Sequence, residues 1–340
     1  MKHVKSLDSL RGLAAVSVYC GHMWLIDKSW FDSLRPWFFF TAGGEAVFLF
    51  FVLSGFVLTS AYEKEQNFSY LKYVIRRVLR IYPAYYAAIA LAIFSYLWLK
   101  PTQIFDYSGW FNSQFPAISL DKDSLLNALL LVTKSGSNFD CVVWTLTYEV
   151  IISVLLLPLL WKYQKTALVA LIIAFSWLYI SGKYPLLTNS CFYTLFFYMG
   201  MLTYRYGNKF CWLAKLRLLP IYLILYAILY FAYGNQLVFH EYLRNITSGI
   251  GSIGFILLAL YHPRVTKFLE HKILVFYGKI SYSFYLLHMP ITFILIYSFR
   301  NYLALDIIRI LVFISTSIVA YLTYLFIEKP FMRLGKKLCC

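Results

Sequence analysis

Long apolar runs separated by short polar breaks fill the chain from end to end. Ten runs reach membrane-spanning length, at roughly 8–26, 37–60, 83–100, 143–161, 166–182, 188–204, 215–233, 246–262, 280–298 and 306–327. The pattern predicts an all-α polytopic membrane protein, a bundle of about ten transmembrane helices. No internal repeat, low-complexity linker or shift of composition marks a second domain, so residues 1–340 read as one membrane domain. The amino terminus shows no cleavable signal. Its first apolar run leads into another and reads as a retained span.

Charge then orients the bundle. The formal charge of +16 would point to nucleic acid in a soluble chain, but 61% of the residues are hydrophobic. The better account is the positive-inside rule. With the amino terminus inside, the cytoplasmic pieces collect 22 of the 31 basic residues and every inside loop is basic. That distribution predicts both termini in the cytoplasm, a multi-pass protein of the inner membrane, the bilayer as partner, and no nucleic acid. The six cysteines form no CxxC pair and no metal-ligand spacing, so neither a disulfide nor a metal is expected.

Ionisable residues inside apolar runs are costly, and are candidates for function for that reason. The first run holds Arg11 at its start and His22 near its end. On a helix that eleven-residue step is about 16 Å and close to three turns, so the two share a face at different depths. The competing reading makes Arg11 a boundary cation and His22 a satisfied polar residue. Segment 73–83, YVIRRVLRIYP, sets Arg76, Arg77 and Arg80 at the cytoplasmic mouth of the third run. Arg76 and Arg80 share a helix face. Such a cluster suits a phosphate-bearing ligand, which guanidinium groups grip bidentately, or anionic lipid.

WTLTYE at 144–149 opens the fourth run and places Glu149 at a depth comparable to His22. A His22–Glu149 pair is therefore expected, a general base with its orienting carboxylate. Glu45, near the outer end of the second run, is a candidate for the same outer vestibule. Ser54 and Gly55 fit close helix packing or approach of a ligand to the backbone. In the ninth run Ser281, Tyr282 and His288 line a polar channel or support a kink at Pro290. The outer break 101–142 carries Asp106, Asp121, Asp123 and Asp140 with Trp110, Phe111 and Phe115. Aromatics with carboxylates suit sugar rings, and equally an interfacial anchor loop.

These pieces together resemble the acyltransferase-3 family of integral membrane acyltransferases. The resemblance rests on Arg11-x10-His22 within SLDSLRGLAAVSVYCGH, FFVLSGF at 50–56, RRVLRIYPAY at 76–85, WTLTYE at 144–149, GKISYSFYLLHMP at 278–290 and IEKP at 327–330, in the family's order over nearly the whole chain. It implies transfer of an acyl group, usually acetyl from acetyl-CoA, to a hydroxyl of a cell-surface carbohydrate such as O-antigen or exopolysaccharide. It also implies that Arg11 and His22 are the family's functional pair, that Arg76 and Arg77 belong to its arginine cluster, and that Glu149 is its motif carboxylate. The sequence departs from the pattern at Phe48-Leu49, where many members carry an acidic residue; Glu45 stands in for it or the role is absent. The chain ends ten residues after Pro330, so no appended SGNH-type domain is expected.

On this footing acetyl-CoA rests its phosphates on Arg76, Arg77 and Arg80, with Arg11 nearby, and its thioester reaches His22. The acceptor, a polysaccharide or lipid-linked sugar, arrives from the outer face. Glu45, Ser54, Trp144, Tyr148, Ser281, Tyr282 and His288 are the candidates for lining its channel. Tyr148, Ser281 and Tyr282 are also candidate oxyanion donors. The rival class is a transporter or flippase using His22, Glu149 and His288 as a proton relay.

Overall fold

The computed structural model describes residues 4–27, 43–114, 120–131, 139–214 and 238–339, and among these every regular element is helical. Seven helices are long and apolar enough to cross a membrane: Gly43–Lys64, Tyr70–Leu99, Trp144–Lys162, Gln164–Ser181, Tyr242–Tyr261, Lys272–Phe299 and Leu305–Leu338. Two more, Lys5–Ile26 and Pro185–Tyr206, have 22 residues each but a more polar composition. The expected spans at 8–26 and 188–204 coincide with these two. The expected span 215–233 lies outside the described residues, as do the start of the second run, Phe115 and Cys340. The chain is a polytopic membrane protein.

The helices are named in chain order: α1 (Lys5–Ile26), α2 (Gly43–Lys64), α3 (Tyr70–Leu99), α4 (Gly109–Gln114), α5 (Lys122–Leu130), α6 (Trp144–Ile151), α7 (Leu157–Lys162), α8 (Gln164–Ser181), α9 (Pro185–Tyr206), α10 (Val238–Tyr261), α11 (Pro263–Leu269), α12 (Lys272–Phe299), α13 (Leu305–Thr323) and α14 (Lys329–Leu338). A π-helical turn at Ile152–Leu156 joins α6 to α7, and another at Tyr324–Glu328 joins α13 to α14. Such turns widen a helix locally and are frequent near functional sites.

The chain forms two compact units. One comprises Met1–Ala14, Gly44–Asn67 and Ile151–Gly278; the other comprises Ala15–Gly43, Phe68–Val150 and Lys279–Cys340. In the first unit α2 and α9 cross at two glycines. A methyl group on Gly55 would strike the Phe197 carbonyl, and one on Gly200 would strike that of Val52. This close approach favours the packing alternative for the Ser54-Gly55 pair. Gly12 of α1 lies equally close to α12, where an added Cβ would stand 2.6 Å from the Gly278 nitrogen. Trp161 donates to the Thr59 hydroxyl at 3.0 Å and stacks on Tyr62 at 4.4 Å. α8 is apolar on all sides and turns Ile172, Ile173, Trp177 and Ile180 outward, as a lipid-facing helix does.

In the second unit α14 packs along α3, with Gly335 against Leu79 and the Arg76 backbone. The break 101–142 is partly helical. α5 starts on Asp121, whose carboxylate accepts from the Ser124 N–H at 2.8 Å, an N-cap. Its last turn leaves carbonyls without helical partners. Tyr82, Tyr85 and Tyr86 of α3 donate to those of Leu130, Ala128 and Leu129 at 2.9, 2.5 and 3.0 Å. The tyrosines of YPAYY thus hold one helix of the 101–142 segment. Arg309 of α13 performs the same task for α1, donating to the carbonyls of Met23 and Asp27, both at 3.2 Å, and to Asp306 at 2.7 Å.

Candidate active site

The second unit contains a ladder of polar side chains running along α12. Tyr282, Tyr285 and His288 follow at steps of three, so they share one helix face. His288 is fully buried. Its Nε2 lies 2.8 Å from Nδ1 of His22, and its Nδ1 lies 2.6 Å from its own helix's Tyr285 carbonyl. A face of the His22 ring stacks on Trp110 of α4, with ring centres 5.3 Å apart and planes 21° apart. α4 is tied down beside it: Ser108 donates to the Leu25 carbonyl at 2.5 Å. His22 is therefore held by the helix it sits on, by α12 and by the 101–142 segment.

One turn below, the Tyr285 hydroxyl lies 2.9 Å from that of Thr145 and donates to the Val142 carbonyl at 3.0 Å. Thr145 and Glu149 are i, i+4 on α6 and share a face. Glu149 meets Arg77 of α3, with Nη2 to Oε1 at 2.9 Å. Tyr282, level with this pair, donates to the Ile81 carbonyl at 2.7 Å. Ser283 donates to Glu328 at 3.0 Å, a carboxylate placed by the π-turn before α14.

The expected His22–Glu149 pair does not form; each residue has a different partner. Thr145 lies at the level of Tyr285, and His288 stands about 4.5 Å further along α12 while Glu149 stands about 6 Å along α6 in the opposite sense. The histidine pair and the carboxylate are thus separated by about 10 Å of helix rise, two turns, with the Tyr285–Thr145 layer between them. α3 also begins at Tyr70, thirteen residues before the expected 83, so the arginines lie within its first three turns. Arg77 is buried against Glu149, whereas Arg76 and Arg80 are half-buried. Arg80 reaches the Met332 sulfur of α14 at 3.5 Å.

Trp144 and Tyr148 form an edge-on aromatic pair with centres 6.0 Å apart, Tyr148 being buried; Ser281 is buried too. Arg11, Glu45 and Ser54 belong to the first unit. There Arg11 lies 3.8 Å from Asp8, and Glu45 sits in the first turn of α2, where a helix favours negative charge. Tyr285 and Thr145 were not singled out in the sequence as site residues, and Trp110 was named only among the aromatics suited to a sugar ring. A three-residue step back from His288 would have found Tyr285. Asp140, one of the carboxylates of the 101–142 segment, is buried just ahead of α6. Its Oδ1 accepts from the Val142 N–H at 3.3 Å, and its Oδ2 has no hydrogen-bond partner among the described residues. Burial pushes its carboxyl up to about 8, against the pull of that N–H. Among the described residues no group of three His, Cys, Asp or Glu is placed to hold a metal ion.

The sequence pattern of the acyltransferase domain that defines the acyltransferase-3 family matches residues 4–327. The chain belongs to the acyltransferase-3 family. Membership settles the choice between the two classes left open by the sequence: the protein is a membrane acyltransferase, and its ladder of polar residues lies in an enzyme. It is 28% identical over 368 residues to nodulation protein 10 of Rhizobium leguminosarum bv. viciae, covering 99% of this chain and 95% of that one. It is 25% identical over 296 residues to a protein of Acidianus two-tailed virus named "Putative acetyltransferase ORF330", covering 83% and 82%. A shorter stretch of 104 residues, 29% of this chain and 15% of the other, is 32% identical to the peptidoglycan O-acetyltransferase OatA of Listeria monocytogenes. No solved structure matches the chain.

Acyl transfer to a hydroxyl needs a base, a donor site and stabilisation of the oxyanion. An imidazole gripped on two sides is positioned for the first. Two half-buried guanidinium groups one turn apart on α3 can take a phosphate. Buried Tyr and Ser hydroxyls on α12 and α6 are available for the third.

Proposed function

We propose that this acyltransferase moves an acetyl group from cytoplasmic acetyl-CoA to a hydroxyl of a cell-surface carbohydrate, an O-antigen, an exopolysaccharide or a lipid-linked precursor. It works as a single domain of about ten spans in the inner membrane with both termini in the cytoplasm. Arg76 and Arg80 hold the phosphates of the donor, and Arg77 is occupied by Glu149. The imidazole of His22 takes the acceptor proton as the hydroxyl oxygen attacks the thioester carbonyl. The C–S bond then breaks, and the leaving thiolate recovers that proton. The observation that carries this reading is the clamping of His22 between His288 and Trp110, since Trp110 comes from the outer, aromatic-rich segment to which the acceptor is assigned.

The test compares surface polysaccharide from a gene-deleted strain of the source organism and the same strain with the gene restored. O-acetyl signals are recorded by NMR before and after mild base. A base-labile acetyl group present only with the gene is the expected result. Identical spectra for every surface glycan would exclude this acceptor class.

A further inference from the structure

We infer that His288 is a positioning residue that fixes the tautomer of His22, leaving Nε2 of His22 as the nitrogen that takes the proton. The inference rests on the reading of His22 as the base and adds to it the identity of the basic nitrogen and of the group that selects it.

The argument runs through donor and acceptor identities alone. A peptide carbonyl can only accept. The 2.6 Å contact between His288 Nδ1 and the Tyr285 carbonyl therefore requires the proton to sit on His288 Nδ1. A neutral imidazole carries one N–H, so His288 Nε2 holds a lone pair and accepts. Its partner at 2.8 Å, Nδ1 of His22, must then be the donor. With that proton placed, Nε2 of His22 is bare, and it has no hydrogen-bond partner among the described residues. A backbone carbonyl of α12 thus determines the protonation of a ring on α1, one histidine away.

The ring geometry agrees. The two imidazole planes differ by only 11° and their centres are 5.1 Å apart. That separation matches the N···N distance plus the two ring radii, so the rings lie edge to edge near a common plane. The lone pair of His288 Nε2 points along the bond, the alignment a strong hydrogen bond prefers. Trp110 covers a face of the His22 ring, which leaves the Nε2 edge as its reactive side. The arrangement parallels the orienting group of a hydrolase triad in purpose, but uses a neutral ring in place of a carboxylate. In the step this serves, the acceptor O–H proton passes to Nε2 of His22. The oxygen bonds the thioester carbon, the C–S bond breaks, and the proton leaves Nε2 for the thiolate.

The test is nitrogen-15 NMR of the full-length protein in lipid nanodiscs, labelled at the histidine ring nitrogens. The six histidines are assigned by difference against His22→Gln and His288→Gln. The expected spectrum shows Nδ1 protonated and Nε2 bare on His22, and Nδ1 protonated on His288. A proton on Nε2 of His22 in the wild-type protein overturns the inference, whatever the variants do. Kinetically, His288→Leu removes the acceptor and is expected to lower kcat by roughly 10²-fold or more, within the range a base contributes, with KM for donor and acceptor little changed. His288→Gln, whose amide oxygen can accept from His22 Nδ1, is expected to recover most of that loss. An unchanged kcat in His288→Leu also overturns the inference. Wild-type turnover in His22→Ala would instead remove the base reading while leaving the tautomer assignment as a structural fact.

Discussion

The second unit holds two polar pairs, each with one buried and one half-buried member, about two helical turns apart, and they are built on opposite principles. Arg77 and Glu149 are a pair of charges at 2.9 Å, joining α3 to α6. His22 and His288 are two imidazoles at 2.8 Å, joining α1 to α12. The first pair gains from mutual attraction but depends on both members, because losing one strands a charge. The second loses only a neutral hydrogen bond when one ring is removed, so the fold depends on it little. Buried polarity in this protein therefore serves two ends. Charge ties helices together, and on the proposed reading the pair of rings leaves a proton-accepting edge for chemistry.

The largest expected effect breaks the comparison on the side of chemistry. His22→Ala should lower turnover by roughly 10²- to 10⁴-fold, the usual share of a general base, with the melting temperature nearly unchanged. A matching collapse of the fold would place the imidazole pair with the charge pair instead. On the other side, Arg77→Ala or Glu149→Ala should cost about 3–5 kcal/mol of stability. The double replacement Arg77→Met with Glu149→Leu should regain most of it, read as melting temperature in the same detergent. A double variant as unstable as either single one would show that the two charges do not act as a closed pair. Activity separates the pairs again: the double variant should keep more turnover than His22→Ala.

Asp140 sharpens the contrast, as a carboxyl with no cation beside it among the described residues in the manner of Arg77. Its raised value means the folded protein holds this proton to higher pH than the unfolded chain does. Its contribution to stability is complete below 3.8 and is lost as pH rises to about 8. Melting temperature should therefore fall across that window, and Asp140→Asn should flatten the fall. The smallest effect is expected in the layer between the pairs. Tyr285→Phe removes a hydroxyl shared by Thr145 and Val142, and should cost about 0.5–1.5 kcal/mol in a denaturation series.

Much of this was legible in the sequence, for a physical reason. A span must be apolar over about 20 residues, so its length and composition announce it. Arg11 and His22 stand out because ionisable residues are rare in such runs. Partner choice was not legible. Matching depth paired His22 with Glu149, but depth was counted from span ends that carry no information on rotation or on where a helix starts. Arg77 lies on the helix expected at the mouth of the third run, but the rotation that sets it against Glu149 was not readable. His288 was visible as a polar residue beside Pro290, yet its partner lies 266 positions away. Trp110 was one aromatic among several in the outer break, and only the fold of α4 lays it on His22. Asp121 and Asp140, grouped in the sequence with sugar-binding carboxylates, are a helix cap and a buried acid.

The crossing of α2 and α9 has a mechanical meaning. At Gly55 and Gly200 each helix presses a carbonyl into the space where the other's side chain would begin. Sliding either helix by one turn would bring Phe51 or Thr59 of α2, or Phe196 or Tyr204 of α9, to the place of the glycine, where the opposing backbone leaves no room for a side chain. The two rods are thus pinned in register as by a rivet: they can swivel about that point but cannot run past one another. Any working motion of this pair is therefore a scissor movement, with its greatest travel at the helix ends.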